Sequence, residues 1–339
     1  MNSGQSKVGV VRKFAAIVLA AAFVVSVAAC SDLPAEVQNC VAPSTPGSAS
    51  KAITASGAFA RDPKASIPTP TRTKTVETST LKAGTGLKLG LHDVAEVQYT
   101  VYDGATGKVI TSTGQNGYTS TSLGGVIIGG KANPLGKDLV CQRVGSRSVT
   151  VETGTQAFGS ASAATQSGLT GSETIVIVTD IVKGFRGRAT GTLQPLQSGF
   201  PSVVTAPDGT PGLTLDLQTP PKTGEWEVVR RGSGKPIKAD DAVLLQVEGV
   251  EWSNPAPTTT FDSTWTGHLP RVYELKALTQ TSDGFSLDKT SVKALTGQTV
   301  GSQILVVVPP KYGYPSGKAP SGYPTGSTLI FVYDILGVY

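Results

Sequence analysis

Gly84-Thr-Gly86 followed by His92-Asp-Val-Ala-Glu-Val-Gln-Tyr99 recurs as Gly232-Ser-Gly234 followed by Asp240-Asp-Ala-Val-Leu-Leu-Gln-Val247, at a constant offset of 148. Further along, Val144-Gly-Ser146 recurs as Val300-Gly-Ser302 and Phe158 as Tyr314, both at an offset of 156, and Asp180-Ile181 recurs as Asp334-Ile335 at 154. Matches that keep their order while the offset drifts by a few residues indicate two copies of one unit of about 105–115 residues that differ by short loop insertions. The expected domain organisation is a leader over 1–29, a Ser/Thr/Pro-rich tether over 30–80, a first domain over 81–185, a Pro-rich linker over 186–222 and a second domain over 223–339.

Each copy reads as β structure. Ala95–Tyr102, Ser146–Val151 and Ile175–Val182 in the first, and Val243–Val250, Ile304–Val308 and Leu329–Leu336 in the second, are β-branched or aromatic runs of strand length bounded by Gly or Pro. Helix is scarce. The spacing predicts one short helix per copy, over Ala132–Val140 and over Leu287–Leu295, the latter with Asp288 as a candidate N-cap. Several antiparallel strands and one short helix per repeat give an α+β fold whose helix packs on one sheet face.

The N-terminus reads as an address. Lys7, Arg12 and Lys13 precede an uncharged stretch of 16 residues, Phe14–Ala29, shorter than the ~20 residues a spanning helix needs, as in a signal peptide. It ends Val27-Ala28-Ala29-Cys30, which resembles the bacterial lipobox and implies lipidation of Cys30 and an extracytoplasmic location on the cell membrane. The competing reading is a plain signal peptide or uncleaved anchor with an incidental cysteine. Removal of residues 1–29 takes away three basic residues and no acidic one, lowering the net charge from +5 to +2. No basic run with interleaved aromatics follows, so nucleic acid is not an expected partner. In an oxidising compartment the remaining Cys40 and Cys141 either pair or stay as two thiols. Two histidines and three cysteines in all leave little material for a metal site, and no metal or other cofactor is expected.

In the second copy, Val300-Gly-Ser-Gln-Ile-Leu-Val-Val-Val-Pro-Pro-Lys-Tyr-Gly-Tyr314, then Pro320, Pro324 and Gly326-Ser-Thr-Leu-Ile-Phe-Val-Tyr-Asp-Ile-Leu336, resembles the C-terminal half of an FK506-binding-protein (FKBP) type peptidyl-prolyl cis-trans isomerase. Thr260-Phe-Asp-Ser263 is similar to that family's Phe-Asp-Ser strand, and Gly232-Ser-Gly234 to its opening Gly-x-Gly. The likeness covers about 226–339; residues 81–185 resemble the same family more weakly. Lipobox, tether and two such domains together are similar to exported FKBP-like lipoproteins of actinobacteria.

The resemblance implies two FKBP-like domains, each an antiparallel half-barrel sheet wrapped on one short helix, with an apolar proline pocket between helix and sheet. It implies Tyr314 as donor to the substrate carbonyl, Phe261 and Phe331 as pocket walls, Asp262 at the rim and Val292 at the entrance. Two positions depart from the family: its pocket-floor tryptophan falls on Ser291, and the tyrosine that supports its Asp falls on Val247, with Trp252 or Trp265 as candidates to fill the floor. The first copy keeps a tyrosine at Tyr99. It has Ile110-Thr111 for the Phe-Asp pair, Phe158 for the donor and Leu135 near the floor, and is expected to be structural or peptide-binding. The implied function is isomerisation of X–Pro bonds in secreted proteins at the cell envelope, mainly by the C-terminal domain of a monomeric, membrane-anchored chain acting on proline-containing unfolded or exported polypeptides. The alternative is an FKBP-fold peptide-binding or scaffolding lipoprotein without activity.

Overall fold

The computed structural model describes residues 40–339 apart from 114–124, 128–133, 167, 196, 216–218, 253–258, 267–269, 277–278, 281–283 and 315–316, so the leader and Cys30 lie outside the described residues. In chain order the strands are β1 (Thr54–Ser56), β2 (Lys64–Ser66), β3 (Glu77–Lys82), β4 (Val94–Asp103), β5 (Val109–Ser112), β6 (Gly125–Ile127), β7 (Arg147–Thr153), β8 (Thr174–Phe185), β9 (Thr192–Leu193), β10 (Ser202–Thr205), β11 (Pro211–Thr214), β12 (Glu225–Arg231), β13 (Ala242–Glu251), β14 (Thr259–Ser263), β15 (Arg271–Glu274), β16 (Gln303–Val308) and β17 (Leu329–Val338). The fold is sheet-rich with few and short helices. Two large antiparallel sheets run β3-β7-β8-β4-β5, with β6 also on β4, and β12-β16-β17-β13-β14, with β15 also on β13 and β9 added beyond β12. Strand for strand the two orders correspond, so the repeat in the sequence is a repeat of topology.

The central strands are apolar on both faces. Along β17, Leu329, Phe331, Tyr333 and Ile335 enter the core on the helix side, while Ile330 and Val332 enter a second core on the outer side. β16 divides in the same way, with Ile304, Val306 and Val308 inward and Leu305 and Val307 outward, as the two-residue period of a strand requires. The helix Lys289–Leu295 closes the inner face. Its N-cap is Asp288, whose Oδ1 accepts from the backbone N–H of Thr290 and Ser291 at 2.8 and 3.0 Å, satisfying two of the donors a helix start leaves open. In the first copy the predicted helix is reduced to Pro134–Lys137 among the described residues. Two further helices, Gly154–Phe158 and Ala161–Gln166, occur there. The first of them starts with a Thr153–Gln156 capping box.

The outer faces are covered by the two segments expected to be spacers, and this corrects the tether and linker. Residues 44–80 are folded onto the first sheet. The β1–β2 hairpin lays Ala55 and Ala65, with Ile53 and Ile67 beside them, on Val149, Val151, Val176 and Val178, and β3 is already a strand of that sheet before residue 81. Cys40 is bonded to Cys141, with 5.7 Å between their Cα atoms. Residues 186–222 do the same for the second sheet: the β10–β11 region places Phe200, Val203, Leu213 and Leu215 on Leu305, Val307, Ile330 and Val332. The physical reason is common to both: an apolar outer face left in water would cost roughly 25 cal/mol per Å2 of exposed apolar area.

One repeated residue pins each strap. Asp180 on β8 and its counterpart Asp334 on β17 are buried. Asp180 pairs with Arg147, Nε to Oδ1 at 2.6 Å and Nη2 to Oδ2 at 2.7 Å, and accepts the N–H of Ala60 at 2.7 Å. The same arginine donates to the carbonyls of Gly57 and Ala58. In the second copy Gln303 replaces the arginine, donating to Asp334 Oδ1 at 2.7 Å, and the N–H of Ala189 meets Oδ2 at 2.7 Å. Replacing Asp334 by Ala leaves two buried donors without an acceptor, at roughly 1–3 kcal/mol each. Asp334→Ala is therefore expected to lower the unfolding midpoint and make 186–222 the first site of limited proteolysis; an unchanged midpoint and cleavage pattern would contradict the pinning role. A fragment starting at residue 223, which lacks the strap, is expected to aggregate where one starting at 186 remains soluble.

Candidate active site

Phe261 and Asp262 are neighbours on β14, and on a regular strand neighbours face opposite ways. Here the pairing with β13 slips between Gly249 and Val250, so that Asp262 pairs with Gly249 while Phe261 is left out of register. The irregularity lets both side chains reach the inner face. Gly249 makes room for them, because a Cβ there would lie 3.0 Å from the Phe261 ring and 3.2 Å from that of Phe331. Phe331, opposite Gly249 on β17, meets Phe261 edge to face at 5.6 Å between centroids.

Tyr323 lies at the hub of the cluster. Its ring centroid is 4.7 Å from Phe261, 5.7 Å from Tyr314 and 6.1 Å from Phe331, and only 8% of the residue is exposed. Its hydroxyl donates to Asp262 Oδ2 at 2.5 Å. Arg271 Nη1 donates to both oxygens of the same carboxylate, at 2.7 and 2.9 Å, and its guanidinium lies 3.5 Å from the centroid of the Phe285 ring. Asp262 is thus not at an open rim, where the resemblance put it, but 6% exposed. A carboxylate can be desolvated this far only when it is paired and hydrogen-bonded, and Arg271 and Tyr323 supply both. Tyr323 also provides the tyrosine hydroxyl that Val247 lacks, from the loop before β17. The sequence alone marks neither partner, because Arg271 and Tyr323 are respectively 9 and 61 residues from Asp262 and only the fold unites them.

Tyr314 is half-buried beside this cluster, and its hydroxyl donates to the Ser286 backbone carbonyl at 2.6 Å. Burial pushes the hydroxyl far above the usual tyrosine range, with the nearby Asp288 carboxyl adding to the effect, so it is a neutral donor at any working pH. Val292 is half-buried against the inner core.

The floor is rebuilt rather than empty. Ser291 is fully buried and donates to Asp288 Oδ2 at 2.5 Å, and Tyr333 donates to Ser291 Oγ at 3.0 Å. The Tyr333 ring stacks on Phe331 at 5.5 Å and 17°. Neither tryptophan considered for this place reaches it. Trp252 belongs to the outer core, and the Trp265 ring is approached by Gly209 of the outer strap.

The first copy brings together only part of the corresponding set. Tyr99, Leu135 and Phe158 pack on one apolar cluster, whereas Ile110 is 40% exposed on β5. An ion pair between a half-buried lysine and a buried glutamate lies in the same copy: Lys137 Nζ donates to Glu152 at 2.6 Å and to the Gln156 carbonyl at 2.5 Å. Burial pushes the adjacent Asp138 carboxyl up to about 7, with the Glu152 charge adding to it. No hydroxyl donor stands at Phe158.

Three solved structures share features with the chain. FkpA from Escherichia coli is 23% identical over 42% of this chain and 52% of that one, with a TM-score of 0.29, so the match spans about half of FkpA. The three FKBP domains of wheat FKBP73 are 15% identical over 78% and 94% of the respective chains, with a TM-score of 0.31. A peptidyl-prolyl cis-trans isomerase from Pseudomonas syringae pv. tomato is 18% identical over 34% and 74%, with a TM-score of 0.27. No curated protein sequence matches the chain. Residues 234–336, which carry β13 to β16, most of β17, the capped helix and the whole aromatic cluster, match the model of the FKBP-type peptidyl-prolyl cis-trans isomerase family.

Proposed function

We propose that the C-terminal unit is a peptidyl-prolyl cis-trans isomerase and that the chain consists of two FKBP-like domains, the first serving as a binding or structural module. The observation that supports this best is the convergence of Phe261, Phe331 and Tyr314 around Asp262 within the matched segment. Rotation about an X–Pro amide faces a barrier of about 18–20 kcal/mol and needs no covalent intermediate. A dry aromatic site disfavours the charge-separated amide resonance form, which weakens the partial double bond. Tyr314 then exchanges the Ser286 carbonyl for the substrate carbonyl, holding the twisted amide in place. Asp262 acts as a positioning residue through Tyr323.

The same proposal places the chain outside the cytoplasmic membrane, anchored through Cys30 and acting on exported polypeptides. It rests on the charged and apolar pattern of residues 1–30 and fits the Cys40–Cys141 bond, since such bonds persist in oxidising compartments. A second reading, a peptide-binding protein without catalysis, draws on one specific observation: the Tyr323 ring occupies the space between Phe261, Phe331 and Tyr314.

A protease-coupled assay on the full chain with an Ala-Leu-Pro-Phe peptide separates the two. Catalysis above background is expected, and Tyr314→Phe is expected to lower kcat/KM by up to about ten-fold, the value of one hydrogen bond worth roughly 0.5–1.5 kcal/mol. A wild-type rate equal to background would exclude the enzyme. In Tyr323→Phe the ring is freed from Asp262, and KM is expected to fall while the unfolding midpoint drops; a KM that stays constant would show that Tyr323 does not obstruct the site.

A further inference from the structure

Trp226 of β12, the helix Lys289–Leu295 and the turn Pro310–Tyr312 line a cleft of about 490 Å3, with Tyr314 in its wall. Its lining is cationic. Lys289, Lys293 and Lys311 line it, all three exposed, and no carboxylate does. Among the described residues none of the three lysines has an ion-pair partner. Lys293 Nζ lies 5.4 Å from the Trp226 ring centroid and Lys311 Nζ 5.9 Å from that of Tyr312, so two of the ammonium groups are held beside aromatic faces rather than dispersed into solvent. The walls are tied together beneath them: Thr290 Oγ1 donates to the Tyr312 carbonyl at 3.1 Å. Gly224 also lines the cleft, and a Cβ there would come within 2.5 Å of Thr290 Oγ1.

We propose that this cleft binds an acidic stretch of polypeptide flanking the proline presented to the aromatic site. The inference rests on the isomerase or proline-binding reading of that site and adds the substrate class to it. Charge complementarity selects the occupant: three lysine ammonium groups, without an ion-pair partner among the described residues and with no carboxylate in the cleft lining, attract aspartate and glutamate side chains, and the Trp226 and Tyr312 rings give the intervening backbone and apolar side chains a surface to lie on. Because Tyr314 belongs to both the cleft and the aromatic cluster, one extended chain can occupy the two together.

The test uses the full chain and three peptides: Ala-Leu-Pro-Phe extended by three glutamates, the same peptide with glutamines, and a glutamate-rich peptide without proline. Binding is followed by calorimetry and by the fluorescence of Trp226, assigned with Trp226→Phe. Exposed ion pairs contribute a few-fold each at most, so the glutamate peptide is expected to bind about ten-fold more tightly than the glutamine peptide at low salt. The advantage shrinks as salt screens it. Lys289→Gln, Lys293→Gln and Lys311→Gln combined should erase the advantage without weakening the glutamine peptide. Equal affinities of the two proline peptides, or an advantage that survives the triple substitution, would overturn the inference. The proline-free peptide separates this result from failure of the proline reading. If it alone perturbs Trp226 and the proline adds nothing, the acidic cleft stands and the proline site falls; if the glutamine peptide binds and the glutamates add nothing to it, the reverse holds.

Discussion

A sheet whose central strands are apolar on both faces cannot stand alone in water. β17 and β16 alternate between an inner core under the helix and an outer core, and the layering of the C-terminal unit follows from covering both. The capped helix covers one side and the strap 186–222 the other. The strap needs an anchor because its own hairpin is short, and Asp334 provides it by accepting the Ala189 N–H inside the sheet. The first copy meets the same constraint with Asp180, Arg147 and the backbone around Ala60. What looks in composition like two flexible spacers is the outer layer of two sheets.

The same economy shapes the site. Its material is rings, hydroxyls and one carboxylate, and each polar group is spoken for. Asp262 is held by Arg271 and Tyr323, Ser291 bridges Tyr333 to Asp288, and Tyr314 is engaged with Ser286. Removing water from this cluster leaves a low-dielectric place for an amide whose barrier to rotation depends on charge separation. On the proposed function, a proline would enter by exchange, displacing ring and hydroxyl contacts already made within the protein.

Much of this was legible in the amino-acid order. The repeat, the strand runs and the Asp288 cap follow from patterns a few residues long, whereas the grouping of Phe261, Phe331 and Tyr314 is what the resemblance to the FKBP family implies. The Thr153–Gln156 box was readable and marks a helix that the strand-dominated pattern hid. What could not be read depends on contacts between distant segments: Tyr323 reaching Asp262 from a loop, Tyr333 taking the space beside Ser291, and Ile53 and Phe200 emerging from Ser-, Thr- and Pro-rich stretches to cover sheet faces. Composition describes such stretches as loose because their few apolar residues are separated by turn formers. Burial is decided by those few.

The central claim is that Tyr314 gives up Ser286 to hold a prolyl amide beside Phe331 and Phe261. A crystal structure of the chain with a bound proline peptide tests it most directly. The account predicts the proline ring against Phe331 and Phe261, with Tyr314 Oη within hydrogen-bond distance of the carbonyl preceding the proline and withdrawn from the Ser286 carbonyl. A bound peptide that leaves the Tyr314–Ser286 hydrogen bond intact, with its proline outside the aromatic cluster, would contradict it.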